Sequence, residues 1–169
     1  MTQRFNHYEA AFEGFLRNNR TPYVAVDEKK RALLDDISLK SMDFIVYSQQ
    51  EKNLLIDIKG RQFPSGGASG TRKWENWATQ DDIFCLLEWE KVFGQDFRAL
   101  LVFAYHVTDL NYVDEFETLY GFRDRAYAFY GVWVQDYYSE MRCRSKSWST
   151  DFLPSQAFQE LKMPIEAVL

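Results

Sequence analysis

The sequence predicts a single α/β domain built on a mixed central sheet flanked by helices, in the element order α-β-β-β-α-β-β. Three observations lead there. The 169 residues, 46% hydrophobic and 17% aromatic, suffice for one sizeable core and leave little room for two. Apolar residues recur at helical spacing near the start, at Phe5, Tyr8, Phe12, Phe15 and Leu16. Residues 42–48 and 53–60 then read as strands joined by a polar turn, and a long helical pattern and a strongly apolar run follow them.

Residues 6–19 form the first helix, with Asn6 as N-cap, Glu9 three residues on as in a capping box, and a stop running into Pro22. Residues 23–26 are a short strand and 27–30 a charged turn, while 31–40 fit neither element decisively. After the two strands, residues 61–73 read as a Gly- and Ser-rich loop. The second helix spans about 76–93. Thr79 and Asp82 resemble a capping box near its start, and Gly94 stops it. Its apolar stripe of Trp77, Ile83, Phe84, Leu86 and Leu87 reads as core. Residues 97–107 are an apolar strand, 108–122 an acidic aromatic connection and 127–134 another strand. Residues 136–148 continue as a bent strand or hairpin, and a short helix at 155–162 ends before Pro164. No repeat or linker divides the chain, so residues 1–169 are one domain.

The chemistry concentrates at Asp43 and Asp57-Ile58-Lys59. Side chains alternate along a strand, so Leu54, Ile56 and Ile58 share one face and Leu55, Asp57 and Lys59 the other. If the two strands are neighbours, Asp43 joins the second face. Two carboxylates and one ammonium there can hold a divalent metal beside a water, the equipment of phosphodiester hydrolysis. Charges on a central strand need such a reason, because burying them unpaired costs several kcal/mol. A structural ion pair of Lys59 with Asp43 or Asp57 is the plainer reading.

Other chemistries find little support. Only His7 and His106 are present, with no nucleophile motif beside them, and no His or Cys spacing suits zinc. The glycines at 66, 67 and 70 lack the order of a phosphate-binding loop. Cys85 and Cys143 read as reduced, buried thiols. No apolar run approaches bilayer-spanning length and the first seven residues are polar, so no membrane association and a cytoplasmic location are expected. A net charge of −5 argues against coating nucleic acid by bulk electrostatics but leaves room for a local basic face. Arg142, Arg144 and Lys146 alternate, which would align them on one strand face as a backbone-binding stripe. Arg72 and Lys73, beside Trp74, are a second candidate for holding a strand by charge and stacking.

The element order, with Glu9 on the first helix, Asp43 on the second strand and Asp57-x-Lys59 on the third, resembles the PD-(D/E)XK nuclease superfamily, whose fold is called restriction-endonuclease-like. Met42 stands where the motif has Pro. Glu9-x-x-Phe12-x-x-Phe15-Leu16 is similar to the first-helix pattern of the archaeal Holliday junction resolvases in that superfamily. His7-Tyr-Glu-Ala-Ala-Phe-Glu13 also resembles the signature of the uncharacterised bacterial HYExAFE proteins, which groups His7, Glu9 and Glu13.

The resemblance implies a Mg²⁺- or Mn²⁺-dependent nuclease acting on DNA, or less readily RNA, with a homodimer as one option. Asp43, Asp57 and the carbonyl of Ile58 would coordinate the ion, with Glu9 joining through water and Glu13 as its substitute. Lys59 would orient and help deprotonate the attacking water. Gln80 would line the site or, more simply, stand at a solvated helix start, and His7 would contact a phosphate or, more simply, cap the helix or pack. A catalytically silent member of the same fold, serving as a protein- or nucleic-acid-interaction module, is the alternative. A third reading makes the acidic segment 109–122 a partner surface.

Overall fold

The structure, a computed structural model, describes residues 6–27, 29, 31–34, 37–66 and 74–169. The elements run α1 (His7–Asn18), β1 (Tyr23–Ala25), β2 (Arg31–Leu34), β3 (Ile37–Lys40), β4 (Phe44–Val46), β5 (Asn53–Phe63), β6 (Ala78–Thr79) and α2 (Gln80–Phe93). They continue with β7 (Phe97–Val107), β8 (Tyr120–Phe122), β9 (Arg125–Trp133), α3 (Val134–Glu140), β10 (Arg142–Ser145), β11 (Thr150–Phe152), α4 (Ser155–Leu161) and β12 (Met163–Pro164). Among the described residues the main sheet has the order β1-β4-β5-β7-β9-β12, with β8 also on β9. β5 and β7 pair in parallel from Asn53↔Phe97 to Phe63↔Val107. β4 and β9 pair antiparallel to β5 and β7 respectively, so the sheet is mixed.

α1 forms where its caps and its apolar spacing agree. The Asn6 side chain accepts a hydrogen bond from Tyr8 N and donates to Glu9 Oε1. Ala11, Phe12, Phe15 and Leu16 are buried against Leu54, Ile56 and Ile58, which fixes the face of β5 that α1 covers. Leu55 belongs to the other core layer with Ile83 and Leu86 of α2. The alternation predicted for β5 therefore holds, with Asp57 and Lys59 on the α2 side. Gly60 marks the close approach of α1. A Cβ there would lie 2.1 Å from the Tyr8 ring. Gly60→Ala should push Tyr8 aside and cost about 1–3 kcal/mol, read by urea unfolding; an unchanged midpoint would mean the ring yields freely.

Several expectations change. Within residues 31–40, left open by the sequence, β2 and β3 pair antiparallel. The second helix starts at Gln80, because Asn76 is held by the backbone of Leu153 and Ala78–Thr79 pairs with β11. Thr79 then caps the helix, its hydroxyl accepting from Asp82 N. Residues 136–148 are not a continuous bent strand: α3 precedes β10, with Val134 and Tyr137 buried one helical turn apart. Phe84 of the predicted core stripe is 45% exposed and Cys143 is exposed, while Cys85 is buried. No helix among the described residues is long and apolar enough to cross a membrane.

Candidate active site

Asp43 stands one residue before the β4–β5 ladder, which begins with Phe44 opposite Ile56. Its N–H donates to Ile56 O, and its own carbonyl accepts from Val26 N. Its carboxylate Oδ2 accepts from Ile58 N at 2.6 Å. The first acid is thus locked onto the backbone between Asp57 and Lys59. All three lie at the junction of β4 and β5, where the sequence brought them.

Asp57 and Lys59 are buried or nearly so, and Lys59 Nζ lies 2.6 Å from Asp57 Oδ2. At that distance the ammonium pairs directly with this buried oxygen. Lys59 also donates to Asp82 Oδ2 at 2.5 Å, and Lys40 of β3 donates to Asp82 Oδ1 at 2.6 Å. Asp82 sits in the first turn of α2, 4% exposed, aimed at the sheet. Two carboxylates and two ammonium groups thus form one chain, Asp57–Lys59–Asp82–Lys40.

The chain sets the charge states. Burial raises the Asp57 pKa; Lys59 pulls it down, but this does not compensate, and Asp82 adds to the rise. Burial also works against ionised Asp82, yet Lys59 and Lys40 outweigh it and bring the carboxyl down from 3.8 to about 2. Burial would lower Lys59, but Asp57 and Asp82 hold its pKa well above the ordinary lysine value. Lys59 therefore carries its proton at neutral pH.

The remaining predicted residues fall in several places. Glu9 is 5% exposed on α1, on the layer opposite Asp57 and Lys59. Glu13 accepts from Tyr23 OH at 2.8 Å and pairs with Arg17. His7 packs on Tyr8 and its Nδ1 lies 2.8 Å from Tyr127 OH, with burial and Arg125 lowering its pKa. Gln80 turns to β11, its side chain 3.5 Å from Asp151 Oδ1. Arg72 and Lys73 lie outside the described residues. Arg142, Arg144 and Lys146 are all exposed, but they do not share one strand face. β10 ends at Ser145, its register slips between Cys143 and Ser145, and Lys146 is in the turn. The slip frees the Arg144 guanidinium to lie 4.9 Å from the Trp77 ring centre.

Asp82, Lys40 and Arg61 are the residues that sequence reasoning missed. Arg61 shares the β5 face of Asp57 and Lys59. It is 9% exposed, donates to the carbonyls of Gly60 and Trp77, and stacks 4.0 Å over the Trp77 ring. Its spacing from Lys59 was the available signal, hidden because position 61 read as loop. Asp82 gave no signal beyond a helix cap.

Among the described residues no three His, Cys, Asp or Glu side chains are placed to hold a metal together. Magnesium needs only one or two carboxylates, since water completes its octahedral shell. Asp57 Oδ2, a buried hard oxygen already paired with one cation, the Lys59 ammonium, suits such an ion. The residues present therefore suit a hard divalent cation.

No protein-family profile and no curated protein matches the sequence. Solved structures do match. One is Hjc, a Holliday junction resolvase from the archaeal hyperthermophile Archaeoglobus fulgidus, at a TM-score of 0.55 and 12% identity, covering 95% of this chain and 96% of that one. The chain thus has the restriction-endonuclease-like fold, with Asp43, Asp57 and Lys59 at the junction of its second and third core strands.

Proposed function

We propose that this chain is a divalent-metal-dependent nuclease that hydrolyses phosphodiester bonds of DNA. The observation that carries the reading is Asp57, a buried carboxylate with a raised pKa that lies beside Asp43 and Lys59. Asp43, Asp57 and the Ile58 carbonyl would hold Mg²⁺ or Mn²⁺, and Glu9, on the opposite layer of the sheet, stays outside that set. Bound there, the ion would polarise a phosphoryl oxygen and activate water.

Lys59 then acts as a cation: it orients the water and offsets charge growing on the phosphate. Its raised pKa makes it a poor proton acceptor, so this role replaces that of a base. With an ion bound at Asp57, Asp82 would still hold Lys59 in place. Arg142, Arg144 and Lys146, and Arg72 and Lys73, would contact the nucleic-acid backbone. A homodimer would place two such sites on one substrate.

A silent interaction module is the second reading. It is favoured by the closed chain Asp57–Lys59–Asp82–Lys40, in which the charges already satisfy one another. Calorimetric titration with Mg²⁺ or Mn²⁺, with cleavage of a labelled oligonucleotide in parallel, separates the two. We expect saturable binding and cleavage in the wild type, both lost in Asp57→Asn. Absence of both in the wild type would make the charges structural and the module the better reading.

A further inference from the structure

We propose that Trp148 stacks on an unpaired base, so that the substrate is nucleic acid with a single-stranded segment next to the cleaved bond; this rests on the nuclease reading above. Trp148 is 77% exposed at the tip of the β10–β11 hairpin. An indole left in water at that level serves no core. Its own segment is one-sided in charge: from Arg142 to Ser149 the chain has three cations and no acid, in a protein of net charge −5. Exposed cations around an aromatic platform match a phosphate backbone carrying splayed bases. An apolar or acidic protein surface would leave either the charges or the ring unmatched.

The platform is held rather than loose. Trp148 N donates to Ser145 Oγ, and Ser149 N to Lys146 O, which close the turn. Ser149 takes a φ of 47°, and its carbonyl accepts from Gln80 N at 2.9 Å. Thr150↔Thr79 and Asp151↔Ala78 pair the hairpin to β6, and Tyr137 OH donates to Asp151 O.

These anchors also fix where the platform stands. Gln80 opens α2 two residues before Asp82, whose carboxylate holds Lys59. A second link runs through Trp77, which carries both Arg144 and the Arg61 of β5 within 5 Å of its ring centre. Arg144 and Trp77 thus connect the hairpin that carries Trp148 to β5, which carries Lys59. A continuous duplex offers the indole no open base face, whereas an unpaired base does.

The test is binding measured by fluorescence anisotropy in EDTA, so that cleavage does not interfere. The probes are a blunt duplex, the same duplex with a single-stranded overhang, and the free single strand. The proteins are wild type, Trp148→Ala, Trp148→Phe and Arg144→Ala, each with its thermal midpoint checked. Trp148→Ala should weaken the overhang and single-strand probes about tenfold and leave the blunt duplex unchanged, with Trp148→Phe recovering most of the loss. Arg144→Ala should weaken all three probes alike and flatten their salt dependence.

Equal loss on every probe, no loss, or no recovery with Phe overturns the stacking role, as does a wild type that binds none of the probes. The nuclease reading is judged apart from it. It stands if the wild type cleaves and Asp57→Asn does not, whatever Trp148→Ala does.

Discussion

Asp57→Asn should make the protein more stable at neutral pH while lowering cleavage by about 10²–10³-fold, the effect of several kcal/mol of metal-derived stabilisation in the transition state. The two halves of this result come from one cause. Asp57 is buried, and folding raises its pKa above 3.8. A carboxyl of that kind favours the fold when protonated. Its contribution is present below pH 3.8 and is lost as pH rises through the folded value. At neutral pH the ionised form is therefore a liability in the metal-free protein, and Asn removes the charge while keeping the shape. A bound cation would relieve the same liability, so Mg²⁺ or Mn²⁺ should raise the melting temperature of the wild type and not that of the variant. Thermal unfolding at pH 7, with and without metal, measures both effects. A variant that melts below the wild type at every pH would show that the Lys59 contact outweighs burial.

Asp82→Asn should have the opposite sign. Its pKa falls from 3.8 to about 2 on folding, which at about 1.4 kcal/mol per unit is about 2 kcal/mol. That contribution is complete above pH 3.8 and is lost as pH falls through about 2. Removing the carboxylate also strips Lys40 of its Asp82 contact and leaves the buried Lys59 with Asp57. We expect a total loss of about 3 kcal/mol at pH 7 by urea unfolding, shrinking toward pH 2. Adding Lys59→Met should return part of it, because the charge left unpaired is then gone. A loss under about 0.5 kcal/mol would mean that water reaches these groups and screens them.

Much of this centre was legible in the chain. Period-two alternation placed Asp57 and Lys59 on the face opposite Leu54, Ile56 and Ile58, and the two core layers divide in that way. The Asn6 and Thr79 caps were readable because a cap is decided by the nearest three residues. The Arg142, Arg144 and Lys146 stripe was not, since a slip in register against β11 depends on a partner strand that composition does not reveal. The start of α2 moved to Gln80 for a related reason: Asn76 is claimed by Leu153, 77 residues away. Glu9 and Glu13 shared a helical face in the sequence. Only packing turned Glu9 inward and gave Glu13 to Tyr23 and Arg17.

The sequence by itself determined the fold class, the order of the core elements along the chain and the placement of Asp43, Asp57 and Lys59 at one strand junction, because each follows from local periodicity and short-range register. Tertiary structure alone decided that Asp82 of α2 and Lys40 of β3 would complete the charge chain, that Arg61 would stack on Trp77, and that the β10–β11 hairpin would stand against the start of α2. Those contacts join residues far apart in sequence. Their energy comes from burying charges that must find opposite partners once water is excluded, a condition that exists only after the elements have packed.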